Sequence, residues 1–165
     1  EGDGLERLGL STLLTEENGV DLLGYVDDLA AELGRARIFV VPVQWATGIL
    51  TKQTLAHVHG LPTVATPVAA QHAAPAPIDV RGRALVWSHR LGKHVSSRVA
   101  LVAASSADFV RAALELYRNA SLWEELSLNG GRFARSGGGK GVCPSGLLED
   151  LNSFWRKLTV TTCSV

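Results

Sequence analysis

The chain has 165 residues, of which 46% are hydrophobic and 19% are charged, and its 16 basic residues are balanced by 16 acidic ones. A chain of this size buries a core without disulfides or a structural metal, and zero net charge excludes the broad basic surface that nucleic-acid binding needs. No apolar run approaches the roughly 20 residues of a membrane-spanning helix, so we expect one globular domain, with no nucleic-acid partner and no transmembrane segment.

The ends of the chain and its cysteines bear on its origin and location. The sequence contains no methionine, so we expect Glu1 to begin a processed, excised or incomplete piece with further sequence upstream. The first residues do not read as a signal or transit peptide. Cys143 and Cys163 lie in no metal-binding pattern, and we expect ordinary thiols, no metal site and a cytoplasmic location.

Predicted helices and strands alternate along the first part of the chain. Residues 5–14 predict a short helix, and an Asn-Gly turn leads into an apolar strand over 20–23 that we expect to be buried. The acidic pair at 27–28 supplies an N-cap for the next helix. The run IFVVPV at 38–43 is apolar without alternation, which is typical of a strand covered on both faces in a parallel sheet.

The following segment continues this alternation. A loop over 44–48 leads into a helix over 51–59, Gly60 ends that helix, and the apolar residues 63–66 predict another buried strand. Strands that alternate with helices through short loops predict βαβ units. We therefore predict an α/β fold with a Rossmann-like parallel sheet and flanking helices.

The pattern weakens in the middle of the chain and then returns. Residues 73–99 contain closely spaced prolines and a basic polar stretch, which predict an irregular insertion with one possible strand at 84–87. The later run VALVA predicts a further strand. Ser105 or Ser106 caps an amphipathic helix, and Ser121 opens another.

The predicted domain covers residues 1–135. Residues 136–146 are rich in glycine and predict a flexible linker. Residues 147–158 carry apolar side chains at helical spacing, which predicts a last helix that packs back on the domain. Residues 159–165 form a polar tail.

Several segments resemble, in their order, the C-terminal, donor-binding domain of the group-one glycosyltransferases: VDLLGYVDDL, VVPV, HGLPTVAT and ALVAASSADFVRAALELYRNASLWEEL. These enzymes are retaining sugar transferases with two Rossmann-like domains in the GT-B fold. The resemblance implies the C-terminal half of that fold without its first strand or strands, and a nucleotide-sugar donor at the carboxyl edge of the sheet. It also implies that the acceptor site belongs to a missing N-terminal domain, so that this piece alone is expected to be inactive.

The resemblance and the local sequence together suggest a donor site. A glycine before a helix N-terminus lets backbone amides approach a diphosphate, Lys52 adds a positive charge, and Gln71 stands where the family often has an acidic residue near the donor sugar. No catalytic residue is assigned, and no metal or cofactor besides the donor substrate is expected. The expected donor-binding residues are Thr47, Gly48, Thr51, Lys52, Thr66 and Gln71.

Two positions depart from the family at this site. The family has a glutamate in the loop and a second one in the helix, which hold the donor sugar and the nucleotide ribose, and these positions correspond to Thr47 and Leu55. A leucine side chain has no group that accepts a hydrogen bond from a ribose diol. Three functions therefore stay open: the donor-binding portion of a transferase, a degenerate domain that acts as a binding or regulatory module, and an enzyme of the same architecture with different chemistry, such as a nucleotide-sugar epimerase.

Three nearby side chains have an ordinary structural interpretation. His57 and His59 are two residues apart on the predicted helix and point to different faces, so we expect capping or solvated roles rather than a shared metal. Trp45 lies in the loop, where packing is favoured over stacking on a ligand.

Overall fold

The computed structural model describes four stretches of the chain: 13–74, 76–88, 90–136 and 161–163. The residues fall into two compact units. The first unit comprises Glu1–Glu32 with Ser145–Val165, and the second comprises Leu33–Pro144.

The described residues contain a 3-10 helix at Glu16–Asn18 and a series of short strands and helices. The strands are β1 (Val20–Leu22), β2 (Phe39–Val41), β3 (Thr63–Ala65), β4 (Arg83–Ser88), β5 (Lys93–Arg98), β6 (Ala100–Val102) and β7 (Thr161–Cys163). The helices are α1 (Leu29–Arg35), α2 (Thr51–Val58), α3 (Pro67–Gln71), α4 (Ser106–Arg118) and α5 (Ala120–Ser136).

In the first unit, β1 and β7 form a two-stranded antiparallel ribbon. The strand predicted after the Asn-Gly turn is confirmed, but the prediction that it is buried is wrong, since Leu22 is 42% exposed. The two three-residue strands form a sheet of their own, and a sheet this small covers little of its side chains. β7 lies within the predicted tail at 159–165, where β-branched threonines favour a strand.

Three predicted segments lie wholly or mostly outside the described residues. The helix expected over 147–158 lies entirely outside the described residues. The linker expected over 136–146 is described only at its first residue, which ends α5. The helix expected over 5–14 is described only at its last two residues, which form a turn and a bend.

Helix α1 begins at the acidic N-cap that the sequence predicts. The Asp28 side chain accepts a hydrogen bond from the Ala31 N–H at 3.0 Å. This bond satisfies one of the amides that a helix N-terminus leaves unpaired.

A parallel sheet forms the centre of the second unit, as the alternation of strands and helices predicts. Its strand order is β2-β3-β6, and Val40, Val64 and Leu101 are in register. β3 is the middle strand and is buried along its whole length. Because the three strands are parallel, their carboxyl ends meet at one edge of the sheet.

The prediction that the strand at 38–43 is covered on both faces is wrong. Val40 is 37% exposed, whereas Val64 beside it is fully buried. Val64 packs against Leu116 of α4 and Leu126 of α5. These two helices cover β3 on this face and leave part of β2 open to solvent.

The last two helices begin at side-chain caps. The Ser105 hydroxyl accepts a hydrogen bond from the Asp108 N–H at 3.1 Å, which confirms the predicted cap of α4. The next helix, α5, begins at Ala120, one residue before the predicted Ser121. Asn119 explains the difference, because its side-chain oxygen accepts a hydrogen bond from the Leu122 N–H at 3.0 Å.

The segment at 73–99 is more regular than its sequence suggests, since β4 and β5 form an antiparallel hairpin. β4 includes the strand predicted at 84–87. Ala84 and Val86 are buried, and they alternate with Leu85, which is 61% exposed. The buried side chains pack against Phe133 of α5. The partner strand, β5, lies within the basic polar stretch and is mostly exposed.

Candidate functional site

The loop between β2 and α2, here called the donor loop (residues 44–50), lies at the carboxyl end of β2. Gly48 is exposed and has a φ of 94°, a left-handed conformation that side-chain-bearing residues rarely adopt. The glycine therefore allows the loop to turn at this point. Thr47, the neighbouring candidate, is also exposed on the donor loop.

The donor loop leads directly into α2, an eight-residue helix. Leu50 precedes this helix, and no side chain caps its N-terminus. Thr51 and Lys52 occupy the first turn and are half-buried. The first turn of such a helix presents backbone N–H groups and the positive end of the helix dipole, both of which favour an anion. Gly48, Thr51 and Lys52 are thus brought together by their position in the chain.

Thr66, at the carboxyl end of the central strand, is buried and bonded within the protein. Its hydroxyl donates to the Val43 carbonyl and accepts a hydrogen bond from the Ala69 N–H at 3.2 Å. The second bond caps α3, whose first residue is proline. The side chain of Thr66 therefore joins the residue just before the donor loop to α3.

His72, which the sequence analysis did not select, holds the other end of the donor loop. Its Nδ1–H donates to the Gly48 carbonyl at 2.7 Å, and its own carbonyl accepts from the Leu50 N–H at 2.8 Å. His72 follows α3 directly. In the sequence, the only local signal for His72 is therefore its position at the end of a short helix that starts with a Thr-Pro pair.

Gln71 lies at the end of α3 with an exposed side chain. It lines a cleft of about 480 Å³ beside the hairpin, together with Asp79, Arg83 and Ser96. The residues that line this cleft include none from the donor loop or α2. Gln71 therefore lies beside the hairpin, and the cleft that it lines is not shared with the other candidate residues in the donor loop and α2.

Leu55 is only 6% exposed and belongs to the core of the second unit. At the position of the second family glutamate, the chain thus presents an apolar side chain that faces inward. Trp45, which was expected to pack, is 79% exposed. The packing prediction for Trp45 is wrong, because the donor loop holds its indole away from the sheet.

The interpretation of His57 as a capping or solvated residue is also wrong. Its ring is fully buried and meets the Phe133 ring edge to face, with the ring centres 5.7 Å apart. Its Nε2 is hydrogen-bonded to the Thr63 hydroxyl at 3.0 Å. Burial lowers the pKa of His57 to about 4, and a backbone interaction with Val99 acts in the opposite direction. His59, in contrast, is exposed at the end of α2.

Two kinds of feature are absent from the described residues. Across the stretches that the structure describes, no helix combines the length and apolarity that crossing a bilayer requires. Within the same stretches, no group of three or more histidine, cysteine, aspartate or glutamate side chains is placed to hold a metal ion.

A parallel α/β sheet with a glycine-containing loop that enters a helix at its carboxyl edge defines the class of Rossmann-like domains. The model of the family described as "Glycosyl transferases group 1" matches residues 2–119, and the chain belongs to that family. Comparison with curated proteins and with solved structures gives no match. The family match confirms the resemblance and the fold predicted from the sequence, and it assigns the chain a general role in glycosyl transfer.

Proposed function

We propose that this chain is the C-terminal, donor-binding portion of a glycosyltransferase and that it binds the diphosphate of a nucleotide-sugar at the donor loop. The observation that carries the proposal is the left-handed Gly48, exposed just before an α2 N-terminus that no side chain caps. Lys52 in the first turn of α2 adds a positive charge beside these amides. A diphosphate is the ligand that these features favour together.

The same groups have a role in the transfer step. Negative charge builds up on the nucleoside diphosphate as it leaves the sugar, and fixed amides and Lys52 stabilise that charge without having to reorient. The acceptor would be positioned by an N-terminal domain expected upstream of Glu1. By family analogy, the sugar is transferred with retention of configuration. No cofactor besides the donor forms part of the proposal, and the cytoplasmic location stays a prediction.

The degenerate binding module remains the second candidate, and Leu55 is the observation that favours it. A buried leucine replaces the carboxylate that holds the ribose in the family. The loss of one charged hydrogen-bond acceptor removes about 1.5 to 3 kcal/mol of interaction. A module of this kind would bind nucleotide weakly or not at all.

A thermal-shift titration with UDP, GDP, ADP and their common sugar conjugates tests the proposal. A ligand at a hundred times its Kd adds about 2.7 kcal/mol of stability, which corresponds to a rise in Tm of about 5 to 10 °C for a chain of this size. We expect one nucleotide to give this rise and Lys52→Ala to abolish it.

Lys93→Ala is the matched control, because Lys93 is an exposed lysine on β5 rather than in the donor loop or α2. A rise that survives in Lys93→Ala but not in Lys52→Ala supports a donor site at α2. If no nucleotide raises the Tm of a chain that unfolds cooperatively, the donor-site proposal is wrong for this chain and the binding-module alternative is favoured.

A further inference from the structure

Both ends of the short helix α3 are hydrogen-bonded to the segment from Val43 to Leu50, which contains the donor loop. At its N-terminus, the Thr66 hydroxyl donates to the Val43 carbonyl. After its C-terminus, His72 bonds the Gly48 carbonyl through Nδ1 at 2.7 Å and the Leu50 N–H through its own carbonyl at 2.8 Å. The segment from Val43 to Leu50 is therefore held against α3 by three bonds.

The His72 side chain fixes the orientation of one peptide group in this loop. In a trans peptide, the C=O of one residue and the N–H of the next point in opposite directions. The bond from Nδ1 directs the Gly48 carbonyl towards His72, so the Ile49 N–H points away from it. Gly48 is exposed and Ile49 is 69% exposed, so this peptide group lies at the surface of the protein.

We propose that His72 is a positioning residue of the donor site: it holds the Gly48 carbonyl and thereby aims the Ile49 N–H at the diphosphate of the nucleotide-sugar. The inference rests on the function proposed above. His72 itself does not contact the ligand. Its contribution is to fix the peptide before the ligand arrives, which lowers the cost of ordering the loop on binding.

Two substitutions at this position separate hydrogen bonding from packing. His72→Leu removes the side-chain donor and keeps an apolar body. His72→Asn keeps a donor, because the asparagine amide N–H₂ occupies nearly the place of Nδ1. Both variants retain the backbone bond from the Leu50 N–H. His59→Leu, at the exposed end of α2, is the matched control for the loss of a histidine ring.

The experiment measures the affinity for UDP, GDP and ADP by titration calorimetry, and amide hydrogen exchange over residues 44–50. We expect His72→Leu to weaken the binding of the nucleotide that the parent prefers by about fivefold to tenfold, as the loss of about one hydrogen bond predicts. It should also speed exchange in the donor loop and leave exchange in α4 unchanged. His72→Asn and His59→Leu should stay within about twofold of the parent.

The possible failures are distinguishable. If the parent binds a nucleotide and His72→Leu binds it equally well, the role of His72 is overturned and the donor site stands. If His72→Leu and His72→Asn weaken nucleotide binding equally, the role of His72 is also overturned, because the hydrogen bond donated by the side chain is then not the cause of the lost affinity. If the parent binds no nucleotide, the proposed function fails and the inference fails with it. Unchanged exchange in the donor loop of His72→Leu overturns the positioning role whatever the affinities are.

Discussion

His57 makes the stability of this protein depend on pH. Folding buries its imidazole and lowers the pKa from 6.5 to about 4, so the unfolded chain takes up a proton between these values and the folded chain does not. The free energy of unfolding therefore has its full value above pH 6.5, where His57 is neutral in both states, and it decreases as the pH falls towards 4. Between pH 7 and pH 5, we expect the free energy of unfolding to fall by about 2 kcal/mol on account of this residue.

Urea unfolding of the parent and of His57→Gln at pH 7 and pH 5 measures this contribution. The difference between the two proteins isolates His57 from other titrating groups, and we expect the variant to lose less stability on acidification. His59→Gln is the matched control, because His59 lies two residues further on with an exposed side chain. The same loss of stability in the parent and in His57→Gln would show that the ring is not buried in its neutral form.

Two glycines of similar backbone conformation lie just before β4 and in the turn of the β4–β5 hairpin. Gly82 has a φ of 73°, and a Cβ there would lie 1.9 Å from the Ala100 carbonyl oxygen. Gly92, between the two strands, has a φ of 60° with nothing within 4 Å of a Cβ. The backbone strain of an alanine is therefore similar at both positions, and steric overlap occurs only at Gly82.

Gly82→Ala and Gly92→Ala form a matched pair for this element. We expect Gly92→Ala to cost about 1 kcal/mol of unfolding free energy, because an L-residue is strained in the left-handed region. Gly82→Ala adds the overlap with β6 and should cost about 3 kcal/mol or more. Urea unfolding of both variants tests the difference. If the two costs are equal, Gly82 does not approach the backbone of β6 as closely as the structure shows.

The elements of the second unit differ in how far their sequence predicts them. β3 and the cap of α4 were predicted because apolar runs and a serine before a helix act locally. The strand at 84–87 is only a possible strand in the sequence, and its partner β5 is not predicted, because Ala84 and Val86 become a buried face only when Phe133 of α5, far away in the chain, packs on them. His57 was misjudged for the same reason, since its burial depends on contacts with β3 and α5.

The candidate site shows the same division between local and distant information. Gly48 and Lys52 could be selected from the sequence, because a loop, a glycine and a helix start are adjacent in the chain. His72 could not be selected in this way, since its bond to Gly48 spans 24 positions and forms only when α3 lies beside the donor loop. Thr66 was selected for the end of a strand, whereas its hydroxyl is bonded inside the protein.

At the scale of the whole molecule, the second unit contains apolar clusters of its own. Clusters among the described residues are centred on Phe133 with Ile78, on Val64 with Leu126, and on Val41 with Ala69. All of these residues lie within Leu33–Pro144. The donor loop, Lys52 and His72 lie in the same unit, so these clusters and the candidate site are parts of one structure.

This arrangement predicts that residues 27–136 fold without the rest of the chain. The fragment keeps α1 with its Asp28 cap, the parallel sheet, the hairpin and both long helices. We expect a single cooperative transition in urea, and the same nucleotide that raises the Tm of the whole chain should raise that of the fragment. The whole chain under identical conditions is the control.

A gradual transition with exposed apolar surface would show that the clusters of the second unit do not suffice as a core. If the fragment unfolds cooperatively but the nucleotide does not raise its Tm, part of the donor site lies outside residues 27–136.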